Sequence, residues 1–287
     1  MQGNTYESVV RLVKETLITA GSTFSEDKIR AYERAIAAET NERSKWVLEN
    51  VLENGRVASK NRAPLCDDTG IPHLLLEIGK NRVVSGEMIE AIHEGVREGL
   101  RTLPGRPMAI KGDDWQRIDQ SGGLDVDSGA LLPAPLLMHE SGESDRLRLY
   151  VLMFGGGPAI RGKTYRVFHR HDAEVVKAEI VKWATESVAQ LGCSPCTLAV
   201  GIGRSHYEAA ALMLKAQAFG NYDRQTQAEK EITRRVNESR IGALGLHGDI
   251  SVLATFMEIG PQRASGVRIV CMRPCCCFEP RIACADF

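Results

Sequence analysis

Three groups of cysteines, Cys66, then Cys193 with Cys196, then Cys275 with Cys276 and Cys277, each fall in a turn beside an apolar run that reads as a strand. That placement constrains the fold more than any other feature, because loops on a rigid scaffold can carry thiolates from distant parts of a chain to one place. Three such thiolates form a cradle for an iron-sulfur cluster, and with only three protein ligands one iron of a cubane stays open as a Lewis acid toward a hydroxyl or carboxylate. Zinc modules are a poorer match. Cys193 and Cys196 form one C-x-x-C, whereas Cys275, Cys276 and Cys277 are adjacent, so a second pair at ribbon spacing is not cleanly present. For any single cysteine the alternative is a small buried hydrophobe, and for Cys271 and Cys284 the two readings stand level.

The elements around these turns follow from apolar spacing. From Tyr6 to Glu53 the pattern is helical, with Val9, Val10, Leu12, Val13 and Leu17 at helix spacing, a second segment starting at Ser25, and Trp46, Val47, Val51 and Leu52 continuing the stripe. Leu74 to Ile78 reads as a buried strand closed by Gly79, and Ser85 opens an amphipathic helix carrying Met88, Ile89, Ile92, Val96 and Leu100. Pro104 to Arg146 is the least regular part, with a short strand at Leu136 to His139. Leu147 to Phe154 is a strand, Ala173 to Gln190 a helix, Thr197 to Ile202 a buried strand, and Ser205 to Ala218 a helix. Lys230 to Ser239 reads as helix, with strands at Ser251 to Ile259 and Val267 to Cys271. The class is mixed α/β (α+β).

The first cysteine stands in Pro64-Leu65-Cys66-Asp67-Asp68-Thr69-Gly70, a thiol backed by two acids, a hydroxyl and a glycine. A thiolate can ligate a soft metal or attack a substrate, and adjacent carboxylates can carry protons or orient a reacting group. The same residues suit a tight turn, since Asp side chains bond their own backbone and Gly accepts positive φ. The two readings are compatible. Gly155-Gly156-Gly157 follows a strand and lets a backbone approach a ligand closely, while Gly157 to Thr164 also fits the P-loop expression G-x-x-x-x-G-K-[ST]. Against a P-loop, Pro158 removes an amide donor and Tyr165 to Phe168 reads as a strand where a helix is needed.

Lys plus Arg (36) and Asp plus Glu (37) nearly cancel, so no net field argues for nucleic acid or a membrane surface, and a small molecule or another protein is the expected ligand. The start from Met1 to Ser8 is polar, and no apolar run approaches the ~18 to 20 residues that span a bilayer. A soluble cytoplasmic protein is expected, in which eight cysteines are unlike a disulfide framework.

Together these segments resemble the iron-sulfur class I fumarate hydratases and the related L(+)-tartrate dehydratases, in their N-terminal domain or separate alpha subunit. Cys66-Asp67-Asp68-Thr69-Gly70 looks like the family's cysteine, glutamine, Asp-Thr-Gly motif, and Gly155-Gly156-Gly157 like its glycine triplet. Cys193-Ser194-Pro195-Cys196 is similar to the second cluster cysteine with its proline turn, and Cys277-Phe278-Glu279-Pro280-Arg281 resembles the third, Cys-Trp-Ala-x-Arg. The resemblance implies a single domain over residues 1–287, with a helical subregion of about 1–60 packed on a mixed sheet and a 4Fe-4S cluster held by loops at strand ends. It makes Cys66, Cys193 and Cys277 the ligands, with Cys275 and Cys276 as neighbours competing for the third place, Asp68 and Thr69 the catalytic pair, and Asp67 with the glycine triplet the substrate contacts. It implies reversible addition or removal of water on a dicarboxylate and, since the chain ends at Phe287, a beta subunit from another chain in a homo- or hetero-oligomer.

Three departures accompany it. Asp67 stands where the fumarases carry glutamine, Asp125-Val126-Asp127-Ser128-Gly129 lacks the arginine of an Arg-x-Asn-Thr-Gly stretch, and Gly248-Asp249-Ile250-Ser251 replaces Gly-Gly-Lys-Thr. Each removes positive or donor character from an anion site. The alternative function is a metal-binding or scaffold subunit whose cysteines serve stability alone.

Overall fold

The computed structural model describes residues 5–287; Met1 to Asn4, half of the polar start, lie outside the described residues. The elements run α1 (Tyr6–Ser22), α2 (Glu26–Ala38), α3 (Glu42–Asn61), β1 (Ile71–Ile78), α4 (Gly86–Thr102), α5 (Asp114–Asp119), β2 (Leu137–Glu140), β3 (Leu147–Phe154) and a helical turn α6 (Gly156–Ala159). They continue β4 (Lys163–Phe168), α7 (Ala173–Leu191), β5 (Cys196–Gly203), α8 (His206–Phe219), α9 (Gln227–Asn237), β6 (Val252–Ile259), β7 (Val267–Cys275) and β8 (Ile282–Asp286). The fold is mixed α/β, as expected. The chain divides into two compact units, one of Met1–Phe24, Gly55–Gly155 and Arg281–Phe287, the other of Ser25–Asn54 and Gly156–Pro280.

The first unit is built on a sheet of order β2-β1-β3-β8, with β1 parallel to β2 and antiparallel to β3, and β3 antiparallel to β8. Thr5 and Ser85 start the two helices that cover it, their hydroxyls accepting the amides of Ser8 and Met88. Val9, Val13 and Leu17 of α1 and Ile92, Val96 and Leu100 of α4 join Leu74, Leu76, Leu149 and Val151 in one core. Gly95 and Gly99, one turn apart on α4, make the helix contact close: a Cβ at Gly95 would stand 2.6 Å from Val13 Cβ, and one at Gly99 3.0 Å from Leu17 Cβ.

The second unit is built on a sheet of order β4-β7-β5-β6, with β5 parallel to β6 and antiparallel to β7. β5 is buried along its whole length, which explains its unbroken apolar run. Ile180, Trp183 and Val188 of α7 and Ile232 and Val236 of α9 pack with Leu198, Val200, Val270 and Met272 of the sheet. Trp46 departs from expectation. It is 63% exposed although Val47, Leu48, Val51 and Leu52 are buried, because it shares its helix face with Glu49 and Asn50 and not with the apolar stripe.

β7 runs four residues past Cys271, through Pro274 to Cys275, because β5 pairs with it to the end, Thr197 opposite Cys275. β8, absent from the sequence reading, pairs with β3 in a register that sets Asp286 opposite Arg148.

Candidate functional site

In the first unit the turn from Leu65 to Gly70 joins α3 to β1. The Asp68 carboxylate accepts the Gly70 amide at 3.1 Å, closing an Asx turn, and the Thr69 hydroxyl donates to the Arg106 carbonyl at 3.0 Å. Gly70 has φ +83, which closes the turn before β1. Arg281, 3% exposed, lies under this turn: Nη1 donates to the Asp68 carbonyl at 2.6 Å and Nε to the Met153 carbonyl at 3.2 Å. The Cys66 thiol, partly exposed, donates to Asp67 Oδ1 at 3.4 Å, and Asp67 Oδ2 lies 3.7 Å from Arg106 Nη1. The two acids therefore differ in setting: Asp68 closes the turn, while Asp67 stands in solvent beside a cation.

Gly70→Ala is expected to unsettle this turn. An alanine at positive φ costs about 1–3 kcal/mol, to which the contact of its Cβ with Arg281 Nη2 is added. That atom would stand 2.5 Å away. A fall in the denaturant midpoint checks it.

In the second unit α7 ends at Gly192, and the loop Cys193-Ser194-Pro195 leads into β5. Ser194 Oγ donates to the Gly242 carbonyl at 2.7 Å, fixing the loop to the Ile241–Leu246 segment. The chain leaving β7 returns here, with the Cys277 amide donating to the Cys193 carbonyl at 2.9 Å. Two further groups from α2 hold the same strand exit: the Tyr32 hydroxyl donates to the Cys277 carbonyl at 2.6 Å, and Lys28 Nζ to the Glu279 carbonyl at 2.8 Å. Both side chains are buried, as is the ion pair of Arg273 with Glu279. Sequence reasoning missed Lys28, Tyr32, Arg273 and Glu279, since three charged side chains and a tyrosine on a helix, a strand and a loop read as surface; the Cys-x-x-x-Arg spacing was the one signal pointing toward Arg281.

The adjacent cysteines are not equivalent. Cys275 is the last residue of β7, its thiol donating to Gln217 Oε1 at 3.3 Å and accepting from Arg273 Nη1 at 3.4 Å. Cys276 packs in the sheet core. Cys277 has left the sheet and shares a backbone bond with Cys193. Cys193 is exposed and Cys277 buried. The Cys277 thiol is held well above the ordinary thiol range by its bond with Cys276, by burial and by Cys193, with Lys28 acting the other way. Burial pushes Cys275 up to about 12. A pair of crowded thiols beside a buried ammonium is a donor set that fits a soft metal centre, which would displace their protons on binding. Among the described residues no three His, Cys, Asp or Glu side chains form a preassembled metal-holding group. Cys66 belongs to the other unit.

Of the glycine triplet, Gly155 closes the strand end in the first unit, and Gly156 and Gly157 open α6 in the second. A Cβ at Gly157 would meet nothing within 4 Å, so packing does not require its bare backbone. Lys163 and Thr164 are in strand β4, and no helix follows Gly157 to Thr164 as a P-loop needs. In the Asp125–Gly129 stretch Asp127 is engaged within the chain, accepting from Nε and Nη2 of Arg101 on α4 at 3.1 and 2.9 Å. At Gly248, the amides of Asp249 and Ile250 are satisfied within the chain by the Glu39 carboxylate at 2.9 and 3.0 Å. No helix among the described residues is long and apolar enough to cross a membrane.

These thiol loops and the Asp-Thr-Gly turn lie within a stretch, residues 10–285, that matches the family described as fumarate hydratase (Fumerase), and the chain belongs to that family of hydro-lyases. Similar proteins include the "Putative L(+)-tartrate dehydratase subunit alpha" of Methanocaldococcus jannaschii, 32% identical over 280 residues that cover 92% of this chain and 92% of the relative. The L(+)-tartrate dehydratase subunit alpha of Escherichia coli is 25% identical over 248 residues, covering 83% of this chain and 78% of the relative.

Proposed function

We propose that this chain is the alpha-type subunit of an iron-sulfur hydro-lyase that reversibly adds or removes water on a hydroxy dicarboxylate of the fumarate/malate or tartrate kind. The observation that carries the reading is the backbone bond from Cys277 to Cys193, which ties two thiol loops together while Cys275 and Cys276 stay committed to sheet and core. In this reading Cys66, Cys193 and Cys277 hold a 4Fe-4S cluster. When bound through three thiolates, such a cluster supplies a Lewis acid for the substrate hydroxyl and carboxylate.

The rest belongs to the chain's own side chains. The Asp68 carboxylate takes or returns the proton of the substrate carbon, with the Thr69 hydroxyl as its relay partner. Arg281 fixes that acid by gripping its backbone carbonyl, and is a positioning residue. Asp67, an acid beside Arg106, meets the substrate's polar end, where it favours a hydroxyl over a second carboxylate. That preference and the relatives' names favour a tartrate-like substrate. The open backbone at Gly157 leaves room for close approach. A beta subunit, a separate chain in a homo- or hetero-oligomer in the cytoplasm, completes the groups that bind the dicarboxylate.

Anaerobic reconstitution with iron and sulfide tests this. The expected result is a cluster absorption with equal iron and labile sulfide, lost in the Cys66→Ser, Cys193→Ser, Cys277→Ser triple variant and kept in Cys275→Ser. Zinc without labile sulfide, or an unchanged cluster in the triple variant, would sink the assignment. Titration with ATP is expected to give no heat, in keeping with a strand at Lys163 to Phe168.

A further inference from the structure

One edge of the second unit's sheet is left unexplained by the thiol loops. β4 has a single sheet neighbour, β7, and ends the order β4-β7-β5-β6. The His169 amide donates to the Gly266 carbonyl, and alternation along the antiparallel ladder then turns the backbone groups of Thr164, Arg166 and Phe168 away from β7. Val167 alone of the β4 residues is buried, while Tyr165 and Phe168 are 49% and 58% exposed. A groove of about 470 Å³ lies along β4 and α7, lined among others by Lys163, Tyr165, Arg170, Glu179, Lys182 and Trp183.

Cations predominate along this edge, where Glu179 is the one carboxylate among the residues that line the groove. Among the described residues none of Lys163, Arg166, Arg170 and Lys182 has a carboxylate within the 4.0 Å of an ion pair, whereas Arg30 and Arg34 elsewhere share Asp223. Two of the four are stacked on rings instead: Lys163 Nζ lies 4.4 Å from the Trp183 ring centre, and the Arg166 guanidinium 5.6 Å from those of Tyr165 and Phe168. Cations on an edge strand guard against self-pairing, and two copies of β4 laid together would set these charges against each other. Exposed aromatic rings have the opposite effect, because they reward a strand that is laid beside them. A free edge that repels its own kind and is rimmed by unpaired cations suits an anionic strand.

We propose that β4 is the docking edge for an acidic, extended segment of a second protein chain. The segment adds a strand to the sheet, pairing its backbone with Thr164, Arg166 and Phe168 and setting its carboxylates against Lys163, Arg166, Arg170 and Lys182. Docking here is independent of the reaction proposed above.

The full chain is titrated at low ionic strength with a fluorescently labelled short peptide of alternating glutamate and valine, followed by anisotropy. Binding is expected, weakened at least tenfold in the Arg166→Glu, Lys182→Glu variant, whose fold is checked by far-UV circular dichroism. The same peptide N-methylated at every second amide is expected to bind at least tenfold more weakly to the unaltered protein, which separates strand pairing from charge attraction without touching the fold. No binding by the acidic peptide, equal binding by its N-methylated form, or equal binding by single-stranded oligodeoxythymidine would each overturn the proposal.

Discussion

Asp68→Asn is expected to lower kcat by about 10²- to 10⁴-fold, the usual range for loss of a general acid or base, with KM changed far less. The substitution is conservative for the fold. An asparagine oxygen can still accept the Gly70 amide that closes the Asx turn at 3.1 Å, and the contact with Arg281 runs through the backbone carbonyl. A drop in kcat with an unchanged melting curve and unchanged cluster absorption supports proton handling by Asp68. A variant with near-normal kcat would move that role elsewhere. Asp67→Asn makes the useful contrast: it is expected to shift the preference among hydroxy dicarboxylates more than the rate on any one of them.

Glu279→Ala is expected to reduce folding stability by about 3–5 kcal/mol, read from the denaturant midpoint of the unloaded chain. The carboxylate takes bonds from Nη1 and Nη2 of Arg273, and both side chains are almost wholly out of solvent, so removing one leaves a buried charge without its counter-ion. The double replacement Arg273→Met, Glu279→Leu removes both charges together and is expected to recover most of the loss. If the single variant were as stable as the parent, the pair would not be what secures the exit of β7.

Much of the fold was legible because apolar spacing reports burial. β3 at Leu147–Phe154 and the caps Ser85 and Ser205 fall where the pattern places them, since a short apolar run and a capping hydroxyl are both local signals. The strand from Val267 reads as ending at Cys271, with Cys275 in a turn, yet β7 continues through Pro274 to Cys275 because β5 supplies partners from far along the chain. β8 is short and owes its form to β3 more than to its own residues. The site divides the same way. Cys66, Asp68 and Cys193 carry chemistry visible in their residue types. Arg281, Lys28 and Tyr32 act on backbone carbonyls, and a carbonyl acceptor leaves no mark in the sequence that would betray its donor.

Lys28 also sets an electrical condition on its surroundings. Burial pushes its pKa down to about 8, against the pull of Cys276 and Cys277, so at neutral pH it remains an ammonium. With the neighbouring thiols protonated, this pocket of the interior carries one positive charge, the Arg273–Glu279 pair cancelling itself. Should Cys277 give up its proton, the buried sum falls to zero, while a thiolate at the exposed Cys193 is met by solvent. The ammonium thus supplies the counter-charge that a buried thiolate needs.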